Sequence, residues 1–249
     1  MGRHPGADAA CDLTDREATR TAVRAVGDID SVVHLAARAH NFRGLSLDDL
    51  LLANTTTTGN LVAALRAEGR ISAVRFVHAS SVAVYELLDP THRTSPEESP
   101  YAASKLRAEQ LLIAEPFRSL SVLRFAAIYD RSHLQEVAKR VFLPCTRLKI
   151  RLCPPPSHSM CAIEQALLAI QDGVERTPAA GCSILNVTDP RPLSQRELLS
   201  WFSGPALPVS TSLLRALADG VGRCGAKGRK VSRLMQKFIS SSEFPHPHV

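Results

Sequence analysis

Tyr101 and Lys105, in Ser99-Pro-Tyr-Ala-Ala-Ser-Lys105, stand four residues apart. On a helix that spacing puts both side chains on one face, one turn from each other. An ammonium beside a phenol favours the phenolate and lowers a pKa that starts near ~10. A phenol tuned in this way exchanges protons with a substrate hydroxyl near neutral pH. Upstream, Ser80 and Ser81 in Ala79-Ser-Ser-Val-Ala-Val-Tyr85 offer hydroxyls that could bond the same substrate oxygen. Hydroxyls at a strand end also serve turns, and a helix carrying Tyr and Lys can be an ordinary amphipathic one. The chemistry therefore depends on the elements that would bring these residues together.

Thr14-Asp-Arg-Glu17 has the form of a capping box, and Ala18, Val23 and Val26 follow as an apolar face, predicting a helix from Thr14 to Val26. Asp30-Ser-Val-Val-His-Leu-Ala-Ala37 reads as a buried strand. A long helical pattern through Leu50, Leu51, Leu61, Val62 and Leu65 ends near Gly69. A strand at Val74–Ala79, a loop at Asp89–Ser99, a helix from Tyr101 to Ala114 and a strand at Leu120–Phe125 complete this half. Strands separated by helices of this length imply βαβ units and a parallel sheet, which binds ligands beyond the carboxyl ends of its strands. Leu35–Ala37, Ala79–Ser81 and Phe125–Ala127 fall at such ends, and their small residues let a flat ligand approach the backbone.

The second half is less regular. Leu152-Cys-Pro-Pro-Pro156 reads as a rigid extended connection, Met160 to Ile170 as a helix and Ser183–Val187 as a strand. Ser194-Gln-Arg-Glu197 is a second capping box, opening a helix through Trp201. Leu213–Ala218 and Val231–Phe238 read as two more helices. Gly220-Val-Gly-Arg-Cys-Gly225 fits GxGxxG but follows a helical pattern, whereas the phosphate-binding motif follows a strand; a helix-ending glycine cluster is the better account.

With 45% hydrophobic and 22% charged residues, the 249-residue chain has the composition of a soluble globular protein. No run approaches the ~18 apolar residues of a membrane helix, and the first residues lack the apolar core of a secretory signal. Six cysteines without CxxC pairs point to reduced thiols in a cytoplasmic protein and give no metal site. Much of the net charge of +6 lies late, in Arg223, Lys227, Arg229, Lys230, Arg233 and Lys237. No aromatic platform or reader motif accompanies it, so a solvated basic helix is expected, and neither nucleic acid nor a membrane as partner.

The ordered series Asp12-Leu13, His34-Leu-Ala-Ala37, Asn54 with Thr58, Ser80 to Tyr85, Ser99 to Lys105 and Leu123-Arg-Phe125 resembles the extended short-chain dehydrogenase/reductase family. The likeness is strongest to its NAD-dependent epimerases and dehydratases acting on nucleotide sugars, and covers about Asp12 to Tyr129 well. It implies an α/β fold: a Rossmann-like parallel sheet flanked by helices, with a smaller, mainly helical C-terminal lobe. Residues 1–130 would form the NAD-binding core, and residues 131–249 the substrate lobe, with segments at about 157–190 returning to the core.

The resemblance also implies roles. Tyr101 would be the catalytic acid/base; Lys105 would lower its pKa and bind the nicotinamide ribose; Ser81, in preference to Ser80, would be the catalytic hydroxyl. Asp12 and Leu13 would lie beside the adenine, Leu35, Ala36 and Ala37 along the cofactor, Phe125 at the cofactor site, and Asn54 would position the active-site helix. The implied cofactor is NAD, with NADP as the alternative, and the implied partners are a nucleotide-sugar substrate and a second copy meeting through the Tyr101 and Asn54 helices. Hydride moves to NAD while the tyrosine takes a hydroxyl proton; hydride return to the other face gives epimerisation, and prior loss of water gives dehydration.

The sequence departs from the family at three places. The family opens with a strand and a glycine-rich turn that approaches the cofactor pyrophosphate at a helix N-terminus. No such turn can be placed before Asp12, so the expectation is a truncated chain with an interior strand left uncovered. The alternative to an enzyme is accordingly an inactive remnant or interaction module that binds NAD poorly. Asp130 stands where the family has glycine, and Ala162-Ile-Glu-Gln165 replaces a His-Val-Asp-Asp-like stretch. His158 stands where such epimerases carry a basic residue for the nucleotide diphosphate, but beside a proline run it reads as a surface histidine.

Overall fold

The computed structural model describes residues 10–38, 45–88, 94–144, 146–176 and 181–245. Cys145 and residues 89–93 of the expected loop lie outside the described residues. In chain order the strands are β1 (Ser31–His34), β2 (Arg75–Ser81), β3 (Ser119–Phe125), β4 (Ala127–Tyr129), β5 (Ile150–Cys153), β6 (Ser157–His158), β7 (Met160–Ala162), β8 (Cys182–Val187), β9 (Leu193–Ser194) and β10 (Leu207–Ser210). The α-helices are α1 (Arg16–Ala25), α2 (Leu47–Leu50), α3 (Thr57–Ala67), α4 (Tyr85–Leu88), α5 (Pro100–Ile113), α6 (Gln135–Val141), α7 (Ile163–Glu175), α8 (Gln195–Leu199), α9 (Thr211–Gly222) and α10 (Gly225–Ile239). They divide into two compact units, Met1–Phe125 with Leu167–Asn186, and Ala126–Ala166 with Val187–Val249.

The first unit is built on a sheet of order β1-β2-β3-β8, in which β1 pairs with β2 and β2 with β3 in parallel. This is the expected Rossmann-like α/β arrangement. Every residue of β3 is buried, the mark of a strand covered on both faces. Val23 of α1, Leu61, Val62 and Leu65 of α3, Phe76 of β2, Leu112 of α5, and Leu120 and Val122 of β3 share one core. Each large apolar side chain buried there contributes roughly 1.5–3 kcal/mol. Among the described residues β1 has a strand partner on one side only.

Local structure departs from the sequence expectations at identifiable points. The cap of α1 is Asp15, whose carboxylate accepts from Ala18 N, while Thr14 instead donates to Asp12 Oδ1. The helix therefore starts at Arg16, and its predecessor is an Asx turn. The long helix expected up to Gly69 is interrupted: Leu51–Thr56 is π-helical between α2 and α3. There Thr57 and Thr58 donate their hydroxyls to the carbonyls of Ala53 and Asn54, at 2.8 and 2.6 Å, in competition with the regular ladder. Gly69, at φ +67°, closes that segment as expected. Pro100 opens α5 at a position where its missing N–H is not needed.

The second unit is mainly helical with three small two-stranded sheets, β4-β7, β5-β10 and β6-β9. Met160–Ala162, expected as the start of a helix, instead pairs as β7 with Ala127–Tyr129 before α7 begins. Ala162 N also donates to Asp189 Oδ1 at 2.8 Å, so long-range pairing outweighs the local helical pattern. The stretch expected as an extended connection begins as the strand β5. Ser194 and Glu197 form the expected reciprocal capping box. Gly222 ends α9 and Gly225 begins α10, so the GxGxxG-like run is a helix junction. His158, expected at the surface, is buried at 1% exposure with Nδ1 bonded to Ser242 Oγ at 3.0 Å. Among the described residues no helix is long and apolar enough to cross a membrane.

Candidate active site

Four elements of the first unit converge at the carboxyl end of its sheet. The start of α5 carries Tyr101, half-buried, and one turn later Lys105, at 3% exposure. Lys105 Nζ donates to the Ala79 carbonyl of β2 at 2.7 Å. Burial pulls its pKa down from 10.5 to about 8, against the upward pull of Glu109. An ammonium has three donors, and this bond uses one.

Asn54, in the π-helical turn, is 2% exposed. Its Oδ1 accepts from Arg38 N at 2.7 Å, and its Nδ2 donates to Arg38 O at 3.2 Å and Ser104 Oγ at 2.9 Å. Ser104 Oγ in turn donates to Tyr101 O, and Thr55 Oγ1 donates to Ser104 O. Asn54 thus ties the segment after β1 to the first turns of α5. That segment, Leu35 to Ala37, is exposed.

Ser81 ends β2 half-buried, in register with the buried Phe125 of β3, and its Oγ accepts from Ala83 N at 3.2 Å. Ser80, one residue earlier, is buried and donates to the Glu109 carboxylate. Asp12 caps the turn before α1, and the Leu13 carbonyl accepts from Asn60 Nδ2 of α3 at 2.9 Å. Side-chain bonds thus join Asn54, Ser104 and the Tyr101 carbonyl, and Lys105 ties the same helix to the end of β2.

Two features escaped the sequence reading. The first is a buried histidine pair. His34 and His78, in register across β1 and β2, stack with ring centroids 5.6 Å apart. Thr58 Oγ1 spends its proton on Asn54 O, so its 2.9 Å contact with His34 Nε2 makes that nitrogen the donor. Burial first, then Lys105, lowers the His34 pKa to about 4, and burial holds His78 low as well. Both rings are therefore neutral near pH ~7. The second is Glu109, 1% exposed, which receives two bonds from Arg124, Nε to Oε1 at 3.1 Å and NH2 to Oε2 at 2.7 Å. The Arg124 guanidinium lies 5.0 Å from the Tyr85 ring centroid, and Tyr85 OH donates to Asn186 Oδ1 at 3.0 Å. The spacing Tyr101, Lys105, Glu109, each a turn on from the last, was the signal that could have disclosed it.

The family model described as NAD dependent epimerase/dehydratase family matches residues 3–128. The chain belongs to that family. Solved structures to which it is similar agree in fold. A short-chain dehydrogenase/reductase superfamily protein from Agrobacterium tumefaciens with bound NAD superposes with a TM-score of 0.65 at 21% identity, over 84% of this chain and 76% of that one. The UDP-Glc/GlcNAc 4-epimerase of Campylobacter jejuni gives 0.56 at 18% identity, over 80% and 74%. The ADP-L-glycero-D-manno-heptose-6-epimerase of Helicobacter pylori gives 0.59 at 17% identity, over 81% and 66%. No curated protein matches the sequence.

Proposed function

We propose that the chain is an NAD-dependent epimerase or dehydratase of a nucleotide-diphosphate sugar, with NADP as the alternative cofactor. The observation that carries this reading is the face of α5, where half-buried Tyr101 precedes a buried Lys105 anchored on Ala79 O. The names of the similar Campylobacter and Helicobacter enzymes support a nucleotide-sugar substrate.

The residues present suit a dinucleotide. Leu35–Ala37 offer exposed backbone held in place by Asn54, and Lys105 keeps two N–H donors beyond its bond to Ala79. Asp12 and Leu13 serve the adenine end, and Phe125 lines the site beside Ser81. When bound, NAD supplies the acceptor and donor of hydride. Tyr101 takes the proton of the substrate hydroxyl and returns it, with Lys105 favouring the phenolate. Ser81 orients the same oxygen; Ser80 is committed to Glu109, which favours Ser81 for that role. Two copies meet through α5 and the Asn54-bearing helix, where Ile113 and Leu52 are half-exposed.

A second reading is an inactive chain or interaction module that binds NAD poorly; it is favoured by β1, which has one partner strand among the described residues. Isothermal titration of NAD into the purified chain separates the two. Micromolar binding is expected; no heat at millimolar NAD would select the second reading.

A further inference from the structure

Lys105 and Glu109 are successive members of one face of α5, and both are nearly inaccessible to water, at 3% and 1% exposure. They reach neighbouring points of β2: Lys105 Nζ bonds the Ala79 carbonyl, and the Glu109 carboxylate accepts from Ser80 Oγ. The carboxylate is fixed from the other side by the two bonds from Arg124 of β3. The remaining titratable groups facing Lys105 are His34 of β1 and His78 of β2, both neutral, and Tyr101 on its own helix. An ammonium in such a place is costly without a compensating negative charge, because desolvation disfavours its charged form. Glu109 supplies that charge.

We propose that Glu109 is a positioning residue for proton transfer: its carboxylate, oriented by Arg124 and Ser80, is the buried counter-ion of Lys105. This rests on the assignment of Tyr101 and Lys105 as the proton-transfer pair. Glu109 touches no substrate atom; it acts by keeping Lys105 cationic, and so able to favour the Tyr101 phenolate. Arg124 does not serve Lys105 directly. It holds the carboxylate in place with geometry that a lysine could not reproduce.

The proposal separates electrostatics from architecture, because removing either partner breaks the Glu109–Arg124 pair but the two losses act oppositely on Lys105. The chain has six lysines, so Lys105 can be followed by carbon NMR of protein carrying labelled lysine side chains, assigned by the resonance lost in Lys105→Arg. The titration needs neither NAD nor turnover, so its outcome is independent of whether the enzyme reading stands. In the unaltered chain the midpoint is expected at about 8. In Glu109→Gln it should fall by about one unit or more, whereas in Arg124→Met it should hold or rise. The double variant Glu109→Gln/Arg124→Met buries no unpaired charge at either position, so it guards against failure of the single variant to fold; its midpoint should fall as in Glu109→Gln. Equal falls in both single variants, or an unmoved midpoint in Glu109→Gln or in the double variant, would overturn the proposal.

Discussion

Replacing His34 by leucine should remove one defined part of the acid sensitivity of this protein. His34 is 3% exposed and donates through Nε2 to Thr58, and burial with the nearby Lys105 ammonium lowers its pKa from 6.5 to about 4. In the unfolded chain the ring recovers the ordinary value, so between these limits the unfolded state binds the proton more readily than the folded state. Stability from this group is therefore complete above pH ~6.5 and is lost as the pH falls through the window to about 4. At roughly 1.4 kcal/mol per pH unit, a window from 6.5 to about 4 corresponds to about 3 kcal/mol. The substitution should cost roughly 1 kcal/mol near neutrality, for the lost hydrogen bond to Thr58. Urea unfolding followed by circular dichroism, at about pH 7 and about pH 4, gives the two differences needed. The unaltered chain should lose about 3 kcal/mol more than His34→Leu between these conditions. Equal losses in both proteins would show that His34 is not the neutral buried group inferred from its surroundings.

Asn54→Ala removes three bonds that tie Arg38 and Ser104 together, and should lower stability by about 1–3 kcal/mol while weakening NAD binding. Unchanged melting and unchanged NAD titration would contradict its role as a tie. Gly228→Ala drives a Cβ into the Val221 carbonyl oxygen where α10 approaches α9, and should cost about 1–3 kcal/mol in urea unfolding; an unaltered midpoint would deny that close approach.

Much of the first unit was legible because its signals are local and agree with one another. The buried run Leu120–Phe125, the Pro100 start of α5 and Gly69 each say in sequence what they do in space. The shift of the α1 cap to Asp15 is a contest between adjacent side chains that spacing alone does not decide. The π-helical turn arises from threonine hydroxyls bonding carbonyls of the preceding turn, and no apolar periodicity announces it. β7 depends on a partner more than thirty residues earlier in the chain, Ala127–Tyr129, so its local pattern misleads. In the site, Tyr101, Lys105 and Asn54 carry recognisable spacing. Glu109 and Arg124 meet only when α5 packs on β3, and His34 and His78 become a pair only through strand register.

The central claim is that Tyr101 moves a proton on a face prepared by Lys105. Its most direct test is turnover of a nucleotide-diphosphate sugar panel by Tyr101→Phe, with NAD affinity and melting temperature measured in parallel. The variant lacks only the phenolic oxygen of a half-buried side chain, so fold and NAD affinity should persist while the rate falls by roughly 10²–10⁴-fold. Turnover within a factor of about two of the unaltered chain would contradict the account, because general acid/base catalysis by this residue leaves no room for so small a loss.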